Sequence, residues 1–285
     1  MGLLAEAREA LRYRELLRNL VERELRVRYK NTALGVLWSL ANPIVRALVL
    51  WAVFKFVVRL DVENYSAYVL AAFFPWTYFL TGVLDAGESV SRQMALVKKV
   101  YFPRELLPLA TTIANLLHFG LSLLVLFLYL FFLYGRSWWA GHPTLPPPTI
   151  LLLPLLVLME TLLIAGIALF LSALNVFWED AKFLTAVLLD LLFYAVPIIY
   201  FLEQVERLHP VLYTLFLLNP MTVILASYRS FLLHPATITF GGREIAVNQG
   251  VPPFFFVLAC IVCVLVAVGG YAFFNRRKWR FVEQL

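Results

Sequence analysis

Charge is scarce in this chain and cysteine almost absent. Asp, Glu, Lys and Arg make up 15% of its 285 residues, against about 25% in soluble globular domains. The two cysteines, Cys260 and Cys263, lie three apart inside an apolar run, which excludes a disulfide framework and favours packing over metal binding. Histidine is also rare. His118, His142, His209 and His234 are scattered, with no HExxH and no other metal-ligand spacing, so no metal site is expected. No cleavable signal peptide is expected either: the first apolar run follows a strongly charged segment, and no small-residue cleavage site comes after a short core. No internal repeat is evident.

Apolar surface is what the chain has in abundance. Hydrophobic residues reach 62% and the mean hydropathy is +0.81. A water-facing fold cannot hide that much, so a bilayer must supply the apolar solvent. A cytosolic enzyme, a secreted module and a disordered protein are thereby excluded. The net charge of +6 does not point to nucleic acid, because the basic residues sit in short segments between apolar runs, as they do where they orient membrane helices.

A spanning helix needs about 20 predominantly apolar residues. Six stretches qualify: 33–58, 65–84, 106–134, 149–177, 183–202 and 252–274. A further stretch, 211–233, is interrupted at Asn219-Pro220, leaving pieces too short to cross about 30 Å of hydrocarbon. With six spans, one side receives 17 of the 24 Lys and Arg and the other receives 5, Arg46 and Lys55 lying inside the first span. The positive-inside rule makes the richer side cytoplasmic and puts both termini there. Residues 203–250 then form an external segment with two short re-entrant or interfacial helices. The expected fold is an all-α integral membrane protein: a cytoplasmic interface helix within 1–32, then a six-span domain over 33–285.

Two non-spanning features invite a partner. Residues 3–30 place Leu4, Ala7, Leu11, Leu17, Val21 and Leu25 at three- and four-residue spacing among many charges, as in an amphipathic helix lying in the membrane interface. The cytoplasmic loop 92–108, RQMALVKKVYFPRELLP, is longer than a mere helix connector needs to be. One near-miss is instructive. Gly82-Val-Leu-Asp-Ala-Gly87-Glu88-Ser89 has the spacing of a phosphate-cradling loop, but Glu88 stands where its lysine belongs. A carboxylate there repels phosphate, so no nucleotide site is expected in this chain.

The runs RELRVRYKNTALGVLWSLANP (23–43), Pro75-Trp76, LVKKVYFPRELLPLA (96–110) and LNPMTVILASYRSFLL (218–233), together with the charged tail, resemble an ABC-2 type exporter permease. The branch they resemble exports O-antigen, capsular or teichoic-acid polysaccharides. The resemblance is collinear with the six spans and covers nearly the whole chain, although Arg46 and Lys55 sit in a span that is more often uncharged, and the external loop 135–149 matches no motif. It implies a homodimer of permeases in the bacterial inner membrane, each bound to a separate ATPase subunit that holds ATP and Mg, exporting a lipid-linked glycan. It also implies that the interface helix and the first cytoplasmic loop receive the ATPase. In that loop Lys98, Lys99, Tyr101, Phe102, Arg104 and Glu105 are the expected docking residues.

A polar polymer needs a lined path, and aromatic rings stack on the apolar faces of sugars. In the second span Tyr65, Tyr68, Trp76 and Phe79 share a helical face. In the fifth, Asp190, Tyr194 and Phe201 make a comparable one. An ionised group at mid-bilayer costs about 3 kcal/mol or more unless paired or wet. Arg46 and Glu160 lie at similar depth, so they are expected to pair, with Asp190 as the other candidate. Permeation of a lipid or hydrophobic drug is the alternative within transport. An integral-membrane transferase would show clustered Asp, His or Glu at one membrane face, and a pore without an energy source would need no docking features.

Overall fold

The computed structural model describes residues 13–29, 64–99, 102–139, 144–240 and 243–282, together with Gly141 and parts of 41–53. The expected first span, 33–58, lies largely outside the described residues, as do residues 1–12, Lys55, Tyr101 and His142.

The amphipathic segment is helical as α1, Arg14–Tyr29. Its last turn carries Arg26 and Arg28, where cations complement the helix dipole. Next come α2 (Tyr65–Gly87), the short α3 (Ser89–Arg92) and α4 (Met94–Lys99), then α5 (Leu106–Trp139). At 1.5 Å per residue α5 is about 51 Å long, so it runs well past the hydrocarbon and beyond the 106–134 expected. A 3-10 turn at Pro148–Leu152 leads into α6 (Leu153–Phe177), which is followed by α7 (Ala181–Ala195). The chain continues through α8 (Leu202–Leu208), α9 (Pro210–Leu218) and α10 (Pro220–Leu232), strands β1 (Ala236–Phe240) and β2 (Arg243–Val247), and α11 (Pro253–Arg277). A 3-10 turn, Lys278–Val282, closes the described chain.

Among the described residues four helices are long and apolar enough to cross a membrane: Tyr65–Gly87, Leu106–Trp139, Pro148–Phe177 and Pro253–Phe281. The protein is a multi-pass helical membrane protein. The pair α9 and α10 is bent by 97° at its junction. Pro220 opens α10, and the Asn219 side chain caps it by accepting from the Met221 amide at 3.0 Å. The break expected at Asn219-Pro220 is thus a built corner.

Two expectations are corrected. The fifth span, expected over 183–202, is a helix of 15 residues, about 22 Å long. It ends because Pro197 forbids helical backbone before it: Val196 is extended, with φ −100° and ψ 148°. The fold is also not purely α, since β1 and β2 form an antiparallel hairpin with Ile238 opposite Ile245. The alternation in ATITF and REIAV around Gly241-Gly242 is the pattern that specifies such a pair.

Packing is tightest where α6 crosses α11. A Cβ built on Gly166 would lie 2.7 Å from Ala267 Cα, so the two backbones touch. The near-miss motif is explained in the same way. A Cβ on Gly82 would lie 2.8 Å from Ile164, and one on Gly87 3.3 Å from Leu171. Its glycines seat α2 against α6. The main core runs from α2 through α5, α6 and α10 to the hairpin. A second cluster, at the end carrying α1, joins Leu20 and Val21 to Val97, Phe102, Phe274 and Phe281.

Candidate functional site

The seven residues expected along a path divide sharply. Tyr65, Tyr68, Trp76, Phe79 and Phe201 are all buried within the protomer. The Tyr65 and Tyr68 rings meet Phe201 edge-on at 5.8 and 5.4 Å. The Tyr65 hydroxyl donates to the Ile199 carbonyl, and that of Tyr68 to the His234 carbonyl at 2.8 Å. Trp76 packs against Phe79 and Phe193, 5.7 and 5.8 Å away. Trp76 meets Phe193 of α7 and the two tyrosines meet the chain beyond that helix, which pegs α2 there, while Tyr68 also lines an open cavity with Tyr134, Arg136 and His234. The helical face is legible in the sequence. What it faces is not, because helix spacing fixes direction around an axis and says nothing of what covers it.

Asp190 and Tyr194 are the two of the seven that are exposed. Tyr194 is 75% exposed, and Phe183, Leu184, Val187, Leu188 and Leu191 share its outer face of α7. Asp190 is an exposed carboxylate on this mostly apolar helix. Such a group at membrane depth requires water or a polar partner.

The buried charges are arranged differently from the expectation. Glu160 is fully buried, and Tyr228 of α10 donates its hydroxyl to Oε2 at 2.9 Å. Arg46 is exposed and lies over the Phe73 ring, 5.8 Å from its centroid. Glu160 is therefore met by Tyr228 rather than by Arg46, and Asp190 faces outward away from it. Sequence reasoning missed Arg229, the neighbour of Tyr228. Its guanidinium is buried and donates Nε to the Tyr68 carbonyl at 2.9 Å, Nη1 to that of Tyr200 at 2.7 Å and Nη2 to that of Ile198. Phe201 stacks 5.3 Å below it. Breaking α7 at Pro197 strands carbonyls that have no helical partner, and membrane-level backbone must be satisfied from within the protein. Arg229 supplies the donors. Its sequence signal is confined to being a lone arginine in the apolar run PMTVILASYRSFLL.

At the α1 end, Arg28 donates to Asp85 of α2 at 2.8 Å and to Asn115 of α5 at 3.0 Å. Gln93 bridges Arg23 and Glu24. On the exposed face of α1, hydrogen bonds from Arg18 and Arg26 hold Glu22 below the usual carboxylate range. The expected docking residues are split. Lys98 and Lys99 are exposed. Phe102 is only 7% exposed and packs in the α1-end cluster. Arg104 donates to the Lys278 carbonyl and lies over Phe281, while Glu105, buried, pairs with Lys278 at 3.5 Å. Phe102, Arg104 and Glu105 thus bind the loop to the C-terminal turn and are not free to serve as anchors for another chain.

A family model for ABC-2 type transporters matches residues 15–233. This chain belongs to that family. Full-length likeness adds detail. The chain is 28% identical over 275 residues to an O-antigen export system permease protein RfbA of Klebsiella pneumoniae, covering 95% of each chain. A second Klebsiella pneumoniae permease of the same name is 27% identical over the same length. That of Myxococcus xanthus is 33% identical over 223 residues, 78% of this chain and 82% of its own. The matched region of the ABC-2 family runs from α1 to the end of α10, so it takes in the segments expected to dock a partner, the α7 face and the Arg229 cradle.

Proposed function

We propose that this ABC-2 permease exports a lipid-linked, O-antigen-like polysaccharide from the cytoplasm across the bacterial inner membrane. It works as a homodimer with two separate ATPase subunits, which bind ATP and Mg. Both termini are cytoplasmic and six spans cross the membrane, the first within 33–58 and the fifth formed by α7 with the irregular segment that follows it. The observation that carries the reading is likeness to O-antigen export permeases over 95% of both chains. The open face of α7 supports it further. Asp190 and Tyr194 there offer one charge and one aromatic ring, the pairing a hydrated sugar chain uses. A hydrophobic drug would want no carboxylate.

The ATPase docks on exposed residues of the cytoplasmic side: the outer face of α1, with Arg14, Glu15, Arg18 and Arg26, and the adjacent Lys98 and Lys99. The linkage of α1 to α2 and α5 through Arg28 supports rigid-body transmission of that contact to the spans.

The test is reconstitution. Vesicles containing this chain and its ATPase should move a lipid-linked glycan inward or outward with ATP, and the purified chain alone should hydrolyse none. Transport of a short-chain fluorescent lipid with no transport of glycan-lipid would overturn the polysaccharide reading.

A further inference from the structure

The last turn of α11 and the C-terminal turn after it carry three arginines with no carboxylate among the described residues to neutralise them. Arg276, Arg277 and Arg280 are exposed and make no ion pair with a described residue. Lys278, the fourth cation, is taken by Glu105 at 3.5 Å. The turn itself is held rigid. Phe281 is fully buried between Phe274 and Phe177, at 5.5 and 5.8 Å, and Arg104 donates to the Lys278 carbonyl. Arg277 is set between two rings, 5.3 Å from Phe273 and 5.6 Å from Phe177. Its position is fixed before anything binds. Glu179 and Asp180, just before α7, are exposed, and neither forms an ion pair with the three guanidinium groups.

What surrounds the cluster identifies its partner. The helix that delivers it, α11, faces outward with Val257, Ile261, Val264, Leu265 and Val268 about half or more exposed. A helix this apolar with such a face looks into lipid, so its end lies at headgroup depth. Trp279, 63% exposed, sits among the arginines, and Trp178 is 65% exposed just beyond Phe177. Indoles with one apolar and one wet edge mark that level of the bilayer. A protein partner would meet a turn standing clear of the membrane. A lipid phosphate meets one lying in it.

We propose that Arg276, Arg277 and Arg280 form a binding site for the phosphate of an anionic phospholipid, with Trp279 seated beside the headgroup. Guanidinium groups suit phosphate oxygens because their paired N–H donors match them. The site is independent of what the permease transports. Because Arg104 and Glu105 hold the same turn, an occupied site also steadies the loop that lies between α4 and α5.

The experiment is native mass spectrometry and thermal melting of the full chain in neutral detergent, with phosphatidylglycerol or phosphatidylcholine added. The wild type should retain phosphatidylglycerol about tenfold more strongly, and 0.5 M salt should erase most of the preference. R276A, R277A and R280A should each reduce it by about twofold, so that the three together account for most of it, while R276K/R277K/R280K keeps the larger part. R207A/R243A, at basic residues remote from the turn, should leave it unchanged and reports on general charge. Equal retention of the two lipids by the wild type overturns the proposal. So does a preference that survives R276A/R277A/R280A in a variant with an unchanged helical spectrum, or one lost equally in R207A/R243A.

Discussion

Tyr228 donates its phenolic hydrogen to Glu160 across the interface between α10 and α6, at 2.9 Å, with both side chains removed from solvent. The other carboxyl oxygen, Oε1, has no hydrogen-bond partner among the described residues. The pair thus joins α10, beyond the bent corner, to the spanning helix α6 through one buried hydrogen bond. Y228F removes the donor and should lower stability by about 1–3 kcal/mol. E160L should cost less than the loss of a partner suggests, and the double variant E160L/Y228F should cost less than the sum, because neither member is then left stranded. Thermal melting of the four proteins in one detergent measures this. Strict additivity would show that the hydrogen bond couples nothing.

Two adjacent glycines give a sharper test of packing. A Cβ added at Gly269 meets nothing within 4 Å, whereas one at Gly270 runs into the Gly166 backbone. G269A should be neutral or stabilise by up to about 1 kcal/mol through helix propensity. G270A must push α11 away from α6 and should destabilise by about 1–3 kcal/mol. Similar melting points for the two alanine variants would mean that the crossing is looser than the contact distances require.

Much of this architecture is legible in the order of the residues. Apolar length marks out α2, α5, α6 and α11 nearly to their ends, since the cost of unsatisfied backbone in lipid leaves few alternatives. The corner at Asn219-Pro220 follows from proline chemistry. The expected site is less legible. Tyr68 and Trp76 fall on the helical face that spacing assigns them, but that face is covered by Phe201 and Phe193, residues distant in sequence, one beyond the break at Pro197 and one on α7. Depth alone suggests Arg46 for Glu160, and depth says nothing about azimuth. Arg229 escapes notice because its partners are main-chain carbonyls, which no side-chain pattern announces.

Arg229 is the most consequential of these for stability of the corner. Its three donors serve carbonyls of Tyr68, Ile198 and Tyr200, which belong to two separate parts of the chain. Lysine has the charge but not the planar fork, and its single ammonium cannot reach all three acceptors in these directions. R229K should therefore destabilise nearly as much as R229M, by about 2–4 kcal/mol. Limited proteolysis of 196–201 should accelerate in both variants. A melting point for R229K close to the wild type would show that charge, and not the fork, is what the site uses.

The last prediction concerns transmission from α1. Arg28 touches Asp85 at 2.8 Å and Asn115 at 3.0 Å, and Asn115 Nδ2 donates back to Asp85 at 3.3 Å, closing a three-helix junction. Arg92 approaches the same carboxylate at 3.8 Å. The Arg28 and Asp85 side chains are 34% and 27% exposed, so solvent screening limits the pair to about 1 kcal/mol or less. R28A and D85A should therefore melt close to the wild type, with a coupling energy of about 0.5–1 kcal/mol in the double-variant cycle. Their effect on ATP-driven export should be far larger than that. If α1 carries the movement of the ATPase into the spans, loosening this ionic tie to α2 dissipates the stroke while hydrolysis continues. The measurement is glycan exported per ATP hydrolysed in reconstituted vesicles, expected to fall several-fold in R28A and D85A and no further in R28A/D85A. Export that falls only in proportion to the lost stability would make the junction a fastening and remove it from the coupling path.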